Sequence, residues 1–167
     1  MEQLNITVSP ITQLSADVPT EDTSGIIPES DLYCYIDGSC KPNPGQMYAG
    51  ILLKYKHRTI FRQNFNGGFG TNNEAEFCAL IQGLKALKQA AIANHPCANS
   101  PAVIVSDSRN LVMAVQGKHK LKQGRLKTRL DEVNALIKEL NQEFKLVWTS
   151  RKNNLAHDIS QEEVSFG

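Results

Sequence analysis

Four carboxylates stand at the edges of apolar segments, each in its own polar context: Asp37 in YIDGSCKPNPG, Glu76 in TNNEAEFCAL, Asp107 in VIVSDSRNLV and Asp158 in NNLAHDIS. Acids projected from strand ends and helix starts can converge on one point, where they could bind a pair of divalent cations and leave coordination positions open for water and phosphate. Two such cations, about 3.5–4 Å apart, suit phosphodiester hydrolysis, which needs an activated water, neutralised charge and a stabilised departing oxygen. Four acids held together without metal repel, so the empty site is expected to be strained and partly protonated. Taken singly, the same residues leave other readings open. Asp37 before Gly38 suits a turn, Asp107 with Ser108 suits a helix N-cap, and Asp158 suits the solvated side of an amphipathic helix.

The elements that would carry these acids are visible in the apolar patterning. Leu32–Asp37, Tyr48–Lys56 and Thr59–Asn66 read as successive antiparallel strands, the last two joined by a tight turn near His57–Arg58. A glycine-rich turn at Gly67–Gly70 would end this sheet, and Thr71 or Asn72 would cap a long amphipathic helix from Asn73 to about Ala93. Ala102–Val105 is a short apolar strand of the kind buried on both faces. A short helix through Leu111–Val115, a basic loop at Lys118–Arg125 and a second long helix through Leu130–Leu140 follow. Phe144–Thr149 reads as the last strand and Asn153–Val164 as a terminal helix. The order βββαβα(α)βα predicts an α/β fold, a mixed five-stranded sheet with helices on both faces.

Length and composition allow such a scaffold. The chain has 167 residues, 41% of them hydrophobic, enough for one core and one domain at 31–167. The net charge of +1 hides an asymmetry. Residues 1–30 hold five acids and no Lys or Arg, leaving 18 basic against 12 acidic residues in the remainder. That moderately basic remainder favours a polyanion, although solvated surface Lys and Arg are the commoner explanation of so mild a balance. The first 30 residues, rich in Ser, Thr, Pro and acids, read as a disordered arm, with Ile6–Val8 and Ile26–Ile27 as segments able to lie against the domain. Cys34, Cys40, Cys78 and Cys97 show no zinc spacing and are expected as free thiols in a reducing compartment. With neither a secretory signal nor a membrane-length apolar run, a cytoplasmic protein is expected.

The segments YIDGSCKPNPG, GFGTNNEAEFCALIQGLKAL, VIVSDSRNLV and WTSRKNNLAHDIS resemble, in order and spacing, four blocks of the ribonuclease H type I family, from about Leu32 to Ser160. The chain is similar to the compact variant without the large basic extension, and has Arg151 where other members carry a loop histidine. The resemblance implies a ribonuclease H-like fold and an endonuclease that cuts the RNA strand of an RNA–DNA hybrid. The implied metal set is Asp37, Glu76, Asp107 and Asp158, holding two Mg²⁺ or Mn²⁺ ions. The family pattern selects Glu76 over Glu74, which lies about 200° around the helix from it.

The implied substrate contacts are the backbone of Gly38, Ser39 and Cys40, the amides of Asn43, Asn72 and Asn73, the hydroxyl of Thr71, and Arg109 and Arg151 toward phosphate. Amides suit recognition of a 2′-hydroxyl because they donate and accept. On the residues alone, Asn43 could equally be a turn former and Asn72 a cap. His157 would point roughly 100° away from Asp158 on a helix and reads as a surface or core-edge residue. The expected partner is an RNA–DNA hybrid, bound by a monomer without a membrane. A non-catalytic hybrid-binding module and a DNA-directed nuclease of the ribonuclease H-like superfamily are the alternatives. The full set of acids speaks against the first, and TNNxAE with DGSCKPNPG against the second.

Overall fold

The structure is a computed structural model that describes residues 25–121 and 123–162. Five strands form one sheet: β1 (Leu32–Cys40), β2 (Gly45–Tyr55), β3 (Arg58–Gly70), β4 (Ala102–Ser106) and β5 (Phe144–Trp148), in the order β3-β2-β1-β4-β5. The first three pair antiparallel, while β4 lies parallel to β1 and β5 parallel to β4. Among the described residues four α-helices pack with it: α1 (Asn72–Ile92), α2 (Arg109–Val115), α3 (Arg125–Glu139) and α4 (His157–Gln161).

Strand periodicity sends side chains to two cores. Leu32, Cys34 and Ile36 of β1 face a large cluster built with Phe77, Leu80 and Leu84 of α1, Leu111 and Val115 of α2, and Val133 and Ile137 of α3. Tyr35, Leu52, Val103, Val105 and Val147 face the other way and are covered by Ala156 and Ile159 at α4. Because both faces are covered, every residue of β4 is buried. On the outer edge, β3 is exposed or half-buried at every residue before Gly70. No helix among the described residues is long and apolar enough to cross a membrane.

Three local expectations differ from what is observed. Gly67–Gly70, read as a turn, continues β3 and pairs with the start of β2. Those glycines can lie flat against Gly45–Met47, where only backbone pairing is needed. The β2–β3 turn sits at Lys56–His57, both with positive φ (50° and 70°), as a hairpin turn matching strand twist requires. At the end of the acidic arm, where Ile26–Ile27 was read as able to lie against the domain, residues 25–30 run along it: Thr149 Oγ1 donates to the Gly25 carbonyl (2.9 Å), Tyr33 OH to the Pro28 carbonyl (2.9 Å), and Ile27 packs on the α4-side core. The remainder of that arm, including Ile6–Val8, lies outside the described residues. The terminal helix divides into a 3₁₀ turn at Arg151–Asn153 and the short α4, because Asn154 leaves helical geometry to bond the sheet; the expected continuation to Val164 extends beyond the described residues.

Candidate active site

Asp37 lies near the carboxyl end of β1, and Asp107 directly follows β4, its parallel neighbour. Parallel strands deliver their carboxyl ends to one edge of the sheet, where ligands of open α/β sheets collect. Glu76 arrives from the second turn of α1. Its approach depends on Gly38: a Cβ there would stand 2.2 Å from the Ala75 carbonyl oxygen, so only glycine lets the helix lie this close. Glu76 Oε1 then accepts the Gly38 N–H at 3.1 Å.

The fourth approach is made by α4. Gly50 sits opposite Asp37 across the β1–β2 ladder, and a Cβ there would meet Ser160 N at 2.6 Å and the Ala156 carbonyl at 2.9 Å. That close seat buries Ala156, Ile159 and Ser160. It places His157 Nδ1 3.2 Å from Asp37 Oδ2, and the Ser160 hydroxyl donates to the same oxygen. Ligand atoms of Asp37, Asp107 and His157 all lie within 4.8 Å of one another. Asp158, expected as the fourth acid, is exposed on α4 and outside that group. At 100° per residue, a face made by positions 156, 159 and 160 leaves 158 on the opposite side and 157 on the flank.

Two further side chains that went unremarked in the sequence hold the acids in place. Buried Asn154 donates from Nδ2 to the Ile36 carbonyl (2.9 Å) and reaches Asp107 Oδ2 at 3.4 Å, while its Oδ1 accepts the Ala156 N–H (3.1 Å). Ser160, 1% exposed, also accepts through its carbonyl the hydroxyl of Ser39 (2.9 Å). Their signal was the polar identity of positions on an otherwise buried face. Glu74 has a different task. It is buried, meets Arg125 Nε at 3.0 Å and Arg129 at 3.9 Å, and so pins α1 to α3.

The electrostatics follow from this crowding. Burial, then the negative charge of Asp107, pushes the Asp37 carboxyl up to about 6, against hydrogen bonds from Ser160 and His157 that pull it down. Burial likewise raises Glu76 well above the ordinary range, assisted by Asp37 and Asp107 and opposed by the Gly38 N–H and the charge of Arg151. Oxygen donors carrying more negative charge than the site can stabilise, beside an imidazole nitrogen, form a donor set that fits a divalent cation.

The expected substrate contacts fall into two groups. Asn43, Thr71, Asn72 and Asn73 line one cleft of about 1020 Å³ with His119, Lys120, Gln123 and Arg125. There Asn43 Oδ1 accepts the Asn72 N–H (3.0 Å), and Thr71 caps α1 through Glu74 N (3.2 Å). Ser39 and Cys40 turn their side chains inward, Cys40 Sγ lying 3.3 Å from the Gly70 carbonyl, so they have mainly backbone to offer a ligand. Arg109 stacks on Trp148, 3.9 Å from the ring centroid, and Trp148 Nε1 donates to the Asp107 carbonyl (3.1 Å). Arg151 is exposed on the 3₁₀ turn before α4.

This strand order, with acids gathered at the carboxyl ends of adjacent parallel strands, defines the ribonuclease H-like fold. A solved structure described as LC11-RNase H1 in complex with RNA/DNA hybrid superposes with a TM-score of 0.68 at 25% identity, over 77% of this chain and 92% of that one. The RNase H family model matches residues 29–157, and the chain belongs to the RNase H family. Among curated relatives, a ribonuclease H of Coxiella burnetii is 38% identical over 82 residues, 48% of this chain and 46% of that protein. One of Syntrophus aciditrophicus is 35% identical over 99 residues, 58% of this chain and 50% of that protein. The chain thus spans about half the length of the curated relatives it matches.

Proposed function

We propose that the chain is a ribonuclease H that hydrolyses the RNA strand of RNA–DNA hybrids, with two Mg²⁺ or Mn²⁺ ions at Asp37, Glu76 and Asp107. The observation that carries this reading is the convergence of Asp37 and Asp107 with Glu76 at one edge of the sheet, two of these acids with raised pKa values. Bound ions would supply the charge neutralisation and water activation that phosphodiester hydrolysis needs. Asp37 and Asp107 hold the site together from neighbouring strands, and Glu76 locks α1 to β1 through the Gly38 N–H. Asn43, Thr71, Asn72 and Asn73 supply amide and hydroxyl groups at the cleft beside α1, suited to the minor groove and 2′-hydroxyls of a hybrid. The basic residues of the same cleft and Arg109, braced by Trp148, meet phosphate. Four buried free thiols accord with action in the reducing cytoplasm.

The test is cleavage of end-labelled RNA–DNA hybrid, RNA duplex and DNA duplex, each with and without Mg²⁺ or Mn²⁺. Cutting confined to the RNA of the hybrid and dependent on metal is expected. Binding of hybrid without cutting would make the domain a non-catalytic module, and cutting of DNA duplex would make it a DNA-directed nuclease.

A further inference from the structure

We propose that His157 is itself a metal ligand, filling through Nδ1 the place a fourth carboxylate would take, and that this nitrogen biases the site toward Mn²⁺ over Mg²⁺. The inference rests on the reading of this cluster as a metal site and concerns which ion it prefers.

Geometry selects His157 from the chain's four histidines: it is the one whose ligating atom joins Asp37 and Asp107 in a group spanning no more than 4.8 Å. The placement is built rather than incidental. Gly50 admits α4 to the sheet, Asn154 ties the start of that segment to β1 and Asp107, and the Ser160 hydroxyl bridges Asp37 Oδ2 and the His157 carbonyl (3.0 Å). His157 keeps 30% of its side chain exposed, so it can exchange its partner at Nδ1, which is now Asp37, for an ion, with its proton then carried on Nε2. Asp158 has no such support and faces solvent.

The chemical consequence follows from ligand type. Mg²⁺ demands oxygen donors and gives up water reluctantly, while Mn²⁺, which also favours oxygen, is a first-row transition ion and accepts a single imidazole nitrogen more readily than Mg²⁺ does. Replacing a fourth carboxylate by a neutral imidazole removes one negative charge for either ion, and of the two Mn²⁺ is the one able to recover part of that loss through its bond to nitrogen.

The test uses Mn²⁺ alone as probe on the wild-type protein, read by electron spin-echo modulation, together with titration calorimetry for Mn²⁺ and Mg²⁺. Directly bound imidazole nitrogen should appear as ¹⁴N coupling in the wild type and vanish in His157→Asp. The ratio of Mg²⁺ to Mn²⁺ dissociation constants should fall in that variant by about tenfold, the lower end of what changes around a metal do to affinity. Asp158→Asn should leave the coupling and both affinities as they are. Bound Mn²⁺ with no ¹⁴N coupling in the wild type overturns the proposal without needing any variant to fold. Loss of affinity in Asp158→Asn but not in His157→Asp returns the fourth place to Asp158. Nitrogen coupling in a protein that fails to cut hybrid would sink the proposed function and leave His157 a ligand; hybrid cleavage without coupling would do the reverse.

Discussion

Replacing Asp37 by Asn should stabilise the metal-free protein, and by an amount that depends on pH in a defined direction. The carboxyl rises from 3.8 to about 6 on folding, because it is buried and faces Asp107. A raised acid binds more protons in the folded than in the unfolded state between those two values. Its contribution is therefore fully present below about pH 4 and is lost as pH rises through about 6. At 1.36 kcal/mol per unit, the destabilisation at neutral pH is about 3 kcal/mol. Asparagine keeps the volume and an oxygen able to accept from Ser160, so most of that cost should be relieved. Paired thermal melts of wild type and Asp37→Asn in EDTA should show a gain of about 6–12 °C at pH 7.5, shrinking toward zero at pH 4. The reasoning is refuted if the variant melts lower at pH 7.5, or if the difference between the two proteins is flat with pH. Either result would make Asp37 a turn or bridging residue whose charge is well accommodated.

Glu76→Gln should abolish metal-dependent cleavage while leaving the circular dichroism spectrum intact. Glu74→Gln should retain cleavage and lose about 1 kcal/mol in urea denaturation, since its arginine partner is largely exposed. Asn154→Ala removes hydrogen bonds to Ile36 and Ala156 and a reach to Asp107, and should cost about 2–3 kcal/mol of stability along with activity, read by melts and hybrid cleavage. Gly50→Ala forces α4 off the sheet and should cost about 1–3 kcal/mol, with weaker Mn²⁺ binding by calorimetry because Ser160 and His157 move with the helix.

The sequence by itself determined the order and type of the elements, because apolar periods of two and of 3.6 are written locally and survive any tertiary arrangement. It also singled out Asp37, Glu76, Asp107 and Asp158, with Glu76 taken over Glu74 through the resemblance to the ribonuclease H family. What it left open were properties that depend on contact between distant segments. Gly67–Gly70 looks like a turn until Gly45–Met47 is present to pair with it. Glu74 and Glu76 were separable by helix angle, yet the arginines that hold Glu74 come from α3, 51 residues away for Arg125. Which of His157 and Asp158 turns toward Asp37 depends on how α4 seats against Gly50 and the far face of the sheet. Two adjacent residues on a helix differ by 100°, and only the docked face says which of them looks inward.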